Sequence, residues 1–268
     1  MVITFLSDFG LQDDFVGTCH GVIKRIAPEA EIIDITHGIP PQHVLQGALV
    51  LCNTLPYMPE GVHLAVVDPG VGGQRRPLAL RTGEGRLLVG PDNGLLVPAA
   101  DENGGIEAAH ELANPEYALD TVSRTFHGRD LFSPAAAHLA RGVALEELGP
   151  PVDPQALVRV EVPKAEVGQN RIRATVLYVD RFGNTQLNLT RADLDQARVL
   201  PGVRVELELA LERYYAVAAR TFADARPGEV ILYEDAYRNI SIAINGGSAA
   251  ELFGVAPGQE VRIHLRTP

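Results

Sequence analysis

The sequence predicts an α/β fold in which an amino-terminal parallel-sheet α/β domain precedes a smaller antiparallel β-barrel-like domain. Three observations predict it. Short β-branched runs alternate with amphipathic helical patterns in the first part of the chain. A proline-rich segment, 149–154, has the composition of a linker. Beyond it, strand patterns dominate. The 268 residues are 46% hydrophobic, which is enough for two cores, so we expect domains at 1–160 and 161–268.

The amino-terminal elements follow from apolar spacing. Strands are predicted over 2–7, 31–35 and 62–67, and helices over 15–26, 43–55 and 133–141. Asp14 is a candidate N-cap for the first helix. The β-α-β-α-β order predicts a parallel sheet with helices on both faces, in which ligands bind beyond the carboxyl ends of the strands. Asp8 and Asp68 each follow such an end.

The carboxy-terminal part shows only short strand patterns. These lie at 171–179, 203–209, 214–219, 230–233, 240–244 and 261–265. Their number and even spacing predict an antiparallel sheet or small barrel.

Composition excludes several classes of protein. The formal net charge is −11 and no Lys/Arg run occurs, so we expect neither a nucleic-acid partner nor a polybasic membrane site. No apolar run has the length of a membrane span, and the amino terminus lacks the pattern of a signal peptide. Cys19 and Cys52 fall in apolar helical patterns, which favours buried thiols and a cytoplasmic location. The eight histidines lack the paired helical spacing of a zinc site, so we expect no metal and no cofactor.

Two acidic and glycine-rich loops follow predicted strands. In the loop 7–14, Asp8 has the chemistry to hold ribose hydroxyls and Asp13 to face a cationic group; helix capping with solvated acids is the alternative. The loop 66–76 carries Asp68 and Arg75 among glycines that permit close backbone approach to a ligand. It lacks the Lys-Ser/Thr ending of a phosphate loop, and a tight hairpin connection is its alternative.

Further candidates lie in later loops. His127, between Phe126 and Gly128, either points into a cleft or bonds to backbone. Phe182 can stack on an aromatic base and the Asn184 amide can pair with its edge, although Gly-Asn is also common in β-turns. Two more candidate sites follow, namely a second stacking ring at Phe222 and exposed backbone donors and acceptors at Asn245 and Gly246.

Taken together, these segments resemble the S-adenosyl-L-methionine (SAM) hydroxide adenosyltransferases, which are related to fluorinase and chlorinase. The resemblance covers nearly the whole chain. It rests on the order and spacing of SDFG with its following DD, IIDITHGI, VVDPGVGG, GPDNGLL, TFHGRD, DRFGN and TFAD.

The resemblance implies roles for individual residues. Asp68, Arg75 and His127 would surround a nucleophilic water, and Asp8 would hold both ribose hydroxyls. The remaining matches are to substrate-binding groups: Asp13 and Asp180 near the methionine portion, and Phe182, Asn184, Phe222 and backbone near Asn245 and Gly246 around adenine. The resemblance also implies a homotrimer with active sites at subunit interfaces, formed by the amino-terminal domain of one subunit and the carboxy-terminal domain of the next.

Departures from the halide-using relatives favour hydrolysis over halogenation. Those relatives place a serine hydroxyl beside the halide where this chain has Gly128, and Tyr-type residues at the positions of Asp68 and His127. An anionic Asp68 would repel a halide but tolerate a water. We therefore expect metal-independent hydrolysis of SAM to adenosine and L-methionine by attack at ribose C5′. The alternatives are a halide-dependent adenosyltransferase and a non-catalytic sensor of adenosine or SAM.

Overall fold

The computed structural model describes residues 1–209 and 212–265. The chain divides into two compact units, Met1–Glu161 and Val162–Pro268. Each is described separately below.

The first unit contains six strands and four α-helices in its described residues. They are β1 (Val2–Ser7), α1 (Phe15–Ile26), β2 (Glu31–Thr36), α2 (Val44–Thr54), β3 (Gly61–Val66), β4 (Pro77–Thr82), β5 (Leu87–Pro91), α3 (Val97–Asp101), β6 (Ile106–Glu111) and α4 (Ser133–Ala140). A π-helical turn, Gly128–Phe132, leads directly into α4. Asp14 occupies the N-cap position of α1, but its side chain makes no capping bond.

The strands of this unit form one mixed sheet in the order β2-β1-β3-β5-β4-β6. The pairs β1–β2 and β1–β3 are parallel, as predicted, and β5, which the sequence analysis did not predict, pairs in parallel with β3. The antiparallel strands β4 and β6 extend the sheet beyond β5, and this part differs from the expectation of a purely parallel sheet. The turn between β4 and β5 is short, and a short turn can join only antiparallel neighbours.

Buried side chains cover both faces of this sheet. Strand β1 alternates sides, so Ile3 and Phe5 face a core that includes Phe132. Leu6 faces a second core, which includes Leu51 of α2. All five side chains are fully buried. A strand buried on both faces reads as a continuous apolar run, which is the pattern that predicted β1.

The second unit is a closed barrel. Its elements are β7 (Glu166–Val167), β8 (Arg171–Val179), β9 (Thr185–Thr190), α5 (Arg191–Gln196), β10 (Arg204–Leu209), β11 (Glu212–Ala218), β12 (Val230–Glu234), β13 (Asn239–Ile244), α6 (Ala249–Phe253) and β14 (Glu260–His264). The strand order is β14-β10-β11-β12-β13-β9-β8, and β8 pairs with β14 to close the ring, while β7 pairs outside it with β8.

The described pairings in this barrel are antiparallel except β11–β12, which is parallel. The barrel-like expectation is therefore confirmed, with one additional strand in the ring. That strand, β9, lies outside the predicted strands, although Leu187 and Leu189 alternate with polar residues. Both leucines are fully buried in the barrel core. Among the described residues of the whole chain, we find no helix with the length and apolarity to cross a bilayer.

Candidate active site

Three side chains from two loops of the first unit form one hydrogen-bonded group: Asp68 and Arg75 lie in the loop between β3 and β4, and His127 lies in the segment before α4. The Arg75 guanidinium donates from Nε to both Asp68 oxygens, at 2.9 and 3.1 Å, and from Nη2 to Asp68 Oδ2. The same Nη2 lies 2.7 Å from Nδ1 of His127. Arg75 therefore stands between the carboxylate and the imidazole. Asp68, Arg75 and His127 are the candidate catalytic residues of the sequence analysis, and we call them the catalytic trio.

The sheet and its loops explain why these residues meet. Asp68 follows β3 and Asp8 follows β1, and these parallel neighbours end in register at the pair Ser7 and Val66. Gly72 allows the loop between β3 and β4 to approach the loop that carries His127. Gly72 has a φ of +72°, and a Cβ there would lie 2.1 Å from the carbonyl oxygen of Arg124. No other residue type fits this contact.

The hydrophobic core fixes the position of Arg75. Its side chain is 9% exposed, and its guanidinium carbon lies 5.3 Å from the centroid of the buried Phe132 ring. A cation over an aromatic ring is attracted by the electron-rich face. The guanidinium thus has a fixed position behind Asp68 and His127.

The tautomer of His127 follows from the Arg75 contact. A guanidinium has no acceptor, so Nδ1 of His127 must accept and the neutral ring carries its proton on Nε2. Burial lowers the pKa of His127, and the nearby Arg75 charge lowers it further. The imidazole is therefore neutral at pH 7 and offers an Nε2–H donor.

A cavity of about 330 Å³ borders two members of the trio, Asp68 and His127. It is lined by Asp8, Phe9, Phe15, Pro41, Gln42, Val66, Asp68, Pro69, Val71, Thr125, Phe126, His127 and Gly128. The backbone N–H of Gln42 donates to Oδ2 of Asp8 over 2.8 Å, and Gln42 holds the left-handed conformation with a φ of 68°. Burial raises the pKa of Asp8, while this backbone hydrogen bond lowers it in part.

Gly128 forms part of the cavity wall under the aromatic rings. A Cβ at this position would lie 2.8 Å from Cζ and 3.2 Å from Cε2 of Phe9. The Phe9 ring also packs edge-on against Phe126, with centroids 5.7 Å apart. A side chain at position 128 would therefore have to displace a ring that other aromatic rings hold in place.

Asp13 does not join this group. It is exposed in the loop after β1 and lies outside the lining of the cavity.

The second unit brings Asp180, Phe182 and Asn184 together in one turn after β8. Asp180 Oδ1 accepts from the backbone N–H groups of Phe182 and Asn184, at 2.8 and 2.9 Å. The Asn184 side-chain nitrogen donates to Asp180 Oδ2 over 2.7 Å. The Phe182 ring is 76% exposed. The predicted β-turn and the predicted ligand groups thus coexist, because the turn leaves one Asn184 amide hydrogen and the Phe182 face available.

Phe222, Asn245 and Gly246 lie in neighbouring segments of the same unit. The Phe222 ring packs against Tyr233, with centroids 4.9 Å apart. The Asn245 side-chain nitrogen donates to the carbonyls of Phe222 and Ala225, at 3.1 and 2.8 Å. Asn245 therefore fixes the segment that carries Phe222, and Gly246 follows it with a φ of +80°.

A smaller cavity of about 130 Å³ opens beside Asp180. It is lined by Tyr178, Asp180, Asn184, Gln186, Tyr233, Asp235, Ala236, Tyr237 and Ser241. Burial raises the pKa of Tyr178 and of Tyr233 to about 12, with a further contribution from the carboxylates of Asp180 and Asp235. Both phenols are therefore neutral hydrogen-bonding groups at pH 7.

Several lining residues were not predicted from the sequence. Gln42 contributes through its backbone, which leaves no signal in residue type. Asp235 was not among the predicted residues, yet it accepts hydrogen bonds from the Gln186 and Ser241 side chains at 2.7 and 3.0 Å. Asp130 is fully buried behind His127, and the Arg-Asp pair of the TFHGRD segment is the signal that would have found it.

Comparisons with known proteins identify the family of the chain. The SAM hydroxide adenosyltransferase N-terminal domain matches residues 3–149, and the C-terminal domain of the same family matches residues 174–262. A protein of Salinispora arenicola named (R)-S-adenosyl-L-methionine hydrolase is 49% identical, with 97% of each chain covered. One of the same name from Thermus thermophilus is 38% identical, with 97% of this chain and 98% of the relative covered.

A more distant relative and a solved structure are also similar to this chain. A fluorinase of an Actinoplanes species is 29% identical over 98% of this chain and 97% of its own. The crystal structure of an uncharacterized conserved protein from Thermotoga maritima superposes with a TM-score of 0.90 at 35% identity, covering 98% and 99% of the two chains. The resemblance seen in the sequence motifs is confirmed, and the chain belongs to the SAM hydroxide adenosyltransferase family.

Proposed function

We propose that this protein is a hydrolase that converts SAM and water to adenosine and L-methionine by attack at ribose C5′. The observation that carries the proposal is the catalytic trio at the floor of a nucleoside-sized cavity, with Asp8 on the same wall. The curated relatives named (R)-S-adenosyl-L-methionine hydrolase, at 49% and 38% identity, support the reaction.

The leaving group of this substrate needs no general acid. Its sulfonium carries a positive charge and leaves as a neutral thioether, so the protein has to supply a positioned nucleophile. Holding a water in line with the C5′–S bond lowers the activation free energy by about 7–11 kcal/mol at best. The trio is suited to this task because Asp68 and His127 both face the cavity. No resident metal or cofactor is needed for this step in the proposal.

The hydrogen bonds of the trio support one direction of proton transfer. The water oxygen accepts from Nε2–H of His127 and donates one hydrogen to Asp68, which takes the proton as the C–O bond forms. Nδ1 of His127 is already engaged by Arg75, so the imidazole orients the water and Asp68 is the base. Arg75 holds the carboxylate in place, and its positive charge stabilises the hydroxide character that the water oxygen gains as its proton moves to Asp68. A positioned general base contributes about 10²–10⁴-fold.

Recognition of the nucleoside divides between residues of the two units. Asp8 would accept hydrogen bonds from both ribose hydroxyls, since a carboxylate offers two oxygens. Phe182 and Phe222 would contact the adenine faces, and Asn184 with the backbone at Asn245 and Gly246 would meet its edge. Asp180 and Asp13 would face the methionine portion.

Hydrolysis in ¹⁸O-labelled water tests the reaction directly. We expect adenosine with the label in its 5′-hydroxyl, and we expect Asp68→Asn to reduce kcat by at least about 10²-fold with little change in substrate affinity. A parallel incubation with chloride or fluoride should yield no 5′-halo-adenosine. Unlabelled adenosine, a halogenated product, or binding without any adenosine release would each overturn the proposal, the last in favour of a sensor.

The names of the relatives also specify a sulfonium epimer. We propose that this enzyme also prefers the (R)-sulfonium form, and the support for this preference is the printed name of these relatives. Turnover of the separated epimers should favour (R). Equal turnover of both epimers would contradict this preference.

We further propose a homotrimer in the cytoplasm, with active sites at the subunit interfaces. Mixed assemblies test it. If each site takes its trio from one subunit and its adenine contacts from another, inactive Asp68→Asn and inactive Asn184→Ala should regain activity when unfolded and refolded together. No recovery, or a monomeric mass by light scattering, would contradict it.

The free thiols of Cys19 and Cys52 support a reducing compartment, which cell fractionation would test.

A further inference from the structure

The amino-terminal unit contains a second cluster of chemically active side chains, and the proposed reaction does not use it. His20 lies on α1, Asp34 on the edge strand β2, and His37 just beyond that strand. One ligand atom from each lies within 4.8 Å of the other two. None of the three lines the cavity above the catalytic trio.

The distances in this cluster suit coordination of a small cation. Asp34 Oδ1 is 2.9 Å from Nε2 of His20 and 3.1 Å from Nε2 of His37. Ligands bonded at about 2.0–2.1 Å to a tetrahedral zinc ion lie about 3.3 Å from one another. Both Asp34 distances are close to this spacing, and the two imidazole ligand atoms lie within 4.8 Å of each other.

The His37 ring supplies the strongest observation. Its side chain is 2% exposed, and within residues 1–209 and 212–265 its Nε2 has no hydrogen-bond partner. Asp34 Oδ1 is close enough for a hydrogen bond, but the pair lacks the direction of one. Leaving a buried polar atom unpaired is costly, and a metal ion bonded to Nε2 and Asp34 would remove that cost.

The surroundings hold His37 as metal-ligating histidines are usually held. Its Nδ1 is 2.7 Å from Oγ of Ser7, so Nδ1–H can donate there and leave the Nε2 lone pair free for a metal. The Phe5 ring packs edge-on against His37, with centroids 4.7 Å apart. Such a second contact fixes the tautomer and the ring orientation.

We propose that His20, Asp34 and His37 bind one divalent transition-metal ion of the zinc class, with water at the remaining position. Two imidazole nitrogens and one carboxylate oxygen are ligands that zinc, cobalt and nickel accept, whereas calcium and magnesium prefer oxygen alone. The exposure of His20 and Asp34, at 31% and 41% of their side chains, gives the ion a path from solvent.

The ion would brace the first loop. The carbonyl of His37 accepts from the backbone N–H of Gly10 over 2.8 Å, and Ser7 contacts the His37 ring. Asp8 lies between these two attachments. An ion at His37 would therefore tie β2 and α1 to the loop that carries Asp8, and would raise the melting temperature of the protein.

Metal titration of the full-length apoprotein tests the site without reference to activity. Zinc or cobalt added to chelator-treated protein should bind with one high-affinity equivalent per chain. Cobalt should give visible absorption bands typical of a four-coordinate site, and zinc should raise the Tm. The variants His20→Ala and Asp34→Asn, both at partly exposed positions, should lack these bands. Each should bind the metal at least tenfold more weakly than the wild type.

His264→Ala is a matched control. His264 is also 31% exposed and lies 2.7 Å from a carboxylate, Glu208, but no second histidine joins it in the described structure. This variant should bind metal like the wild type. Absence of a bound equivalent in the wild type, or unchanged binding by both cluster variants, would overturn the proposal and leave the hydrolase assignment untouched.

Discussion

Arg75 determines what its two partners in the catalytic trio can do. It occupies both oxygens of Asp68 and the Nδ1 lone pair of His127. An imidazole in this position cannot take up a proton on Nδ1 without facing the guanidinium hydrogen. The arrangement is thus organised around a neutral histidine and an ionised carboxylate.

The pH dependence of kcat should reflect this neutral histidine. Burial and the Arg75 charge both lower the pKa of His127, so protonation begins only below its ordinary value of about 6.5. We expect kcat to remain level from pH 8 through 6.5 and to decline at lower pH. A pH–rate profile of the wild type measures this. A midpoint at or above 6.5 would show that the imidazole is not shielded in this way.

Gly128 should tolerate a side chain poorly. We expect Gly128→Ser to lower stability by about 1–3 kcal/mol, because the added atoms meet the Phe9 ring, and to reduce hydrolysis at least tenfold without creating halide-dependent turnover. Chemical denaturation and product chromatography measure both effects.

Gly21→Ser is the matched control, since a Cβ at this exposed helical position meets nothing within 4 Å. It should retain wild-type activity. A fully active and equally stable Gly128→Ser variant would contradict the steric argument.

At the scale of elements, the π-helical turn Gly128–Phe132 sets the position of His127. Asp130 is fully buried in this turn. Its Oδ2 accepts from the backbone N–H of Ser123 over 2.8 Å, and Arg129 donates to Oδ1 over 2.5 Å. These bonds close the loop from Ser123 to Asp130, with His127 near its middle. π-Helical turns are frequent at functional sites.

We expect Asp130→Ala to loosen this loop. The substitution leaves the Ser123 N–H without its acceptor, which costs about 1–3 kcal/mol, and kcat should fall more than KM rises because His127 loses its position. Urea denaturation and steady-state kinetics measure the two effects.

Arg81→Gln is the control. It removes exposed ion pairs to Glu107 and Glu146 and should lower the free energy of unfolding by at most about 1 kcal/mol. Equal effects of the two substitutions would contradict the proposed role of Asp130.

For the molecule as a whole, His63 links stability to pH. It is fully buried on β3, where its Nδ1 lies 2.9 Å from Thr4 Oγ1. Burial lowers its pKa from 6.5 to about 3, with a further contribution from Arg86. The unfolded chain therefore binds a proton that the folded chain does not, and stability falls as the pH drops below 6.5.

Through His63 alone, the free energy of unfolding should fall by about 2 kcal/mol between pH 6.5 and 5, at up to 1.36 kcal/mol for each pH unit. Unfolding free energies of the wild type and of His63→Gln at both values measure it. The variant should show the smaller pH dependence. Parallel slopes for the two proteins would show that His63 is protonated or solvated in the folded state.

The sequence predicted those features that depend on residue type and local period. Strand β1, helix α1 and six of the seven strands in the barrel ring have clear patterns, and Asp8 and Asp68 were found because they follow strand ends. Strands β4, β5 and β6 were missed because the chain leaves the β-α-β order after β3, and that order was the basis of the prediction. The cluster of His20, Asp34 and His37 was also missed, since its spacing has meaning only after α1 packs beside β2.

The contact between Phe9 and Gly128 also restricts how such an enzyme can change over generations. A hydroxyl at position 128 is reachable by one substitution, but the first carrier of it would have an obstructed pocket. A smaller residue at position 9 would relieve that obstruction. The two positions are therefore coupled, and we expect a hydroxyl at position 128 to be tolerated better once the Phe9 ring is gone.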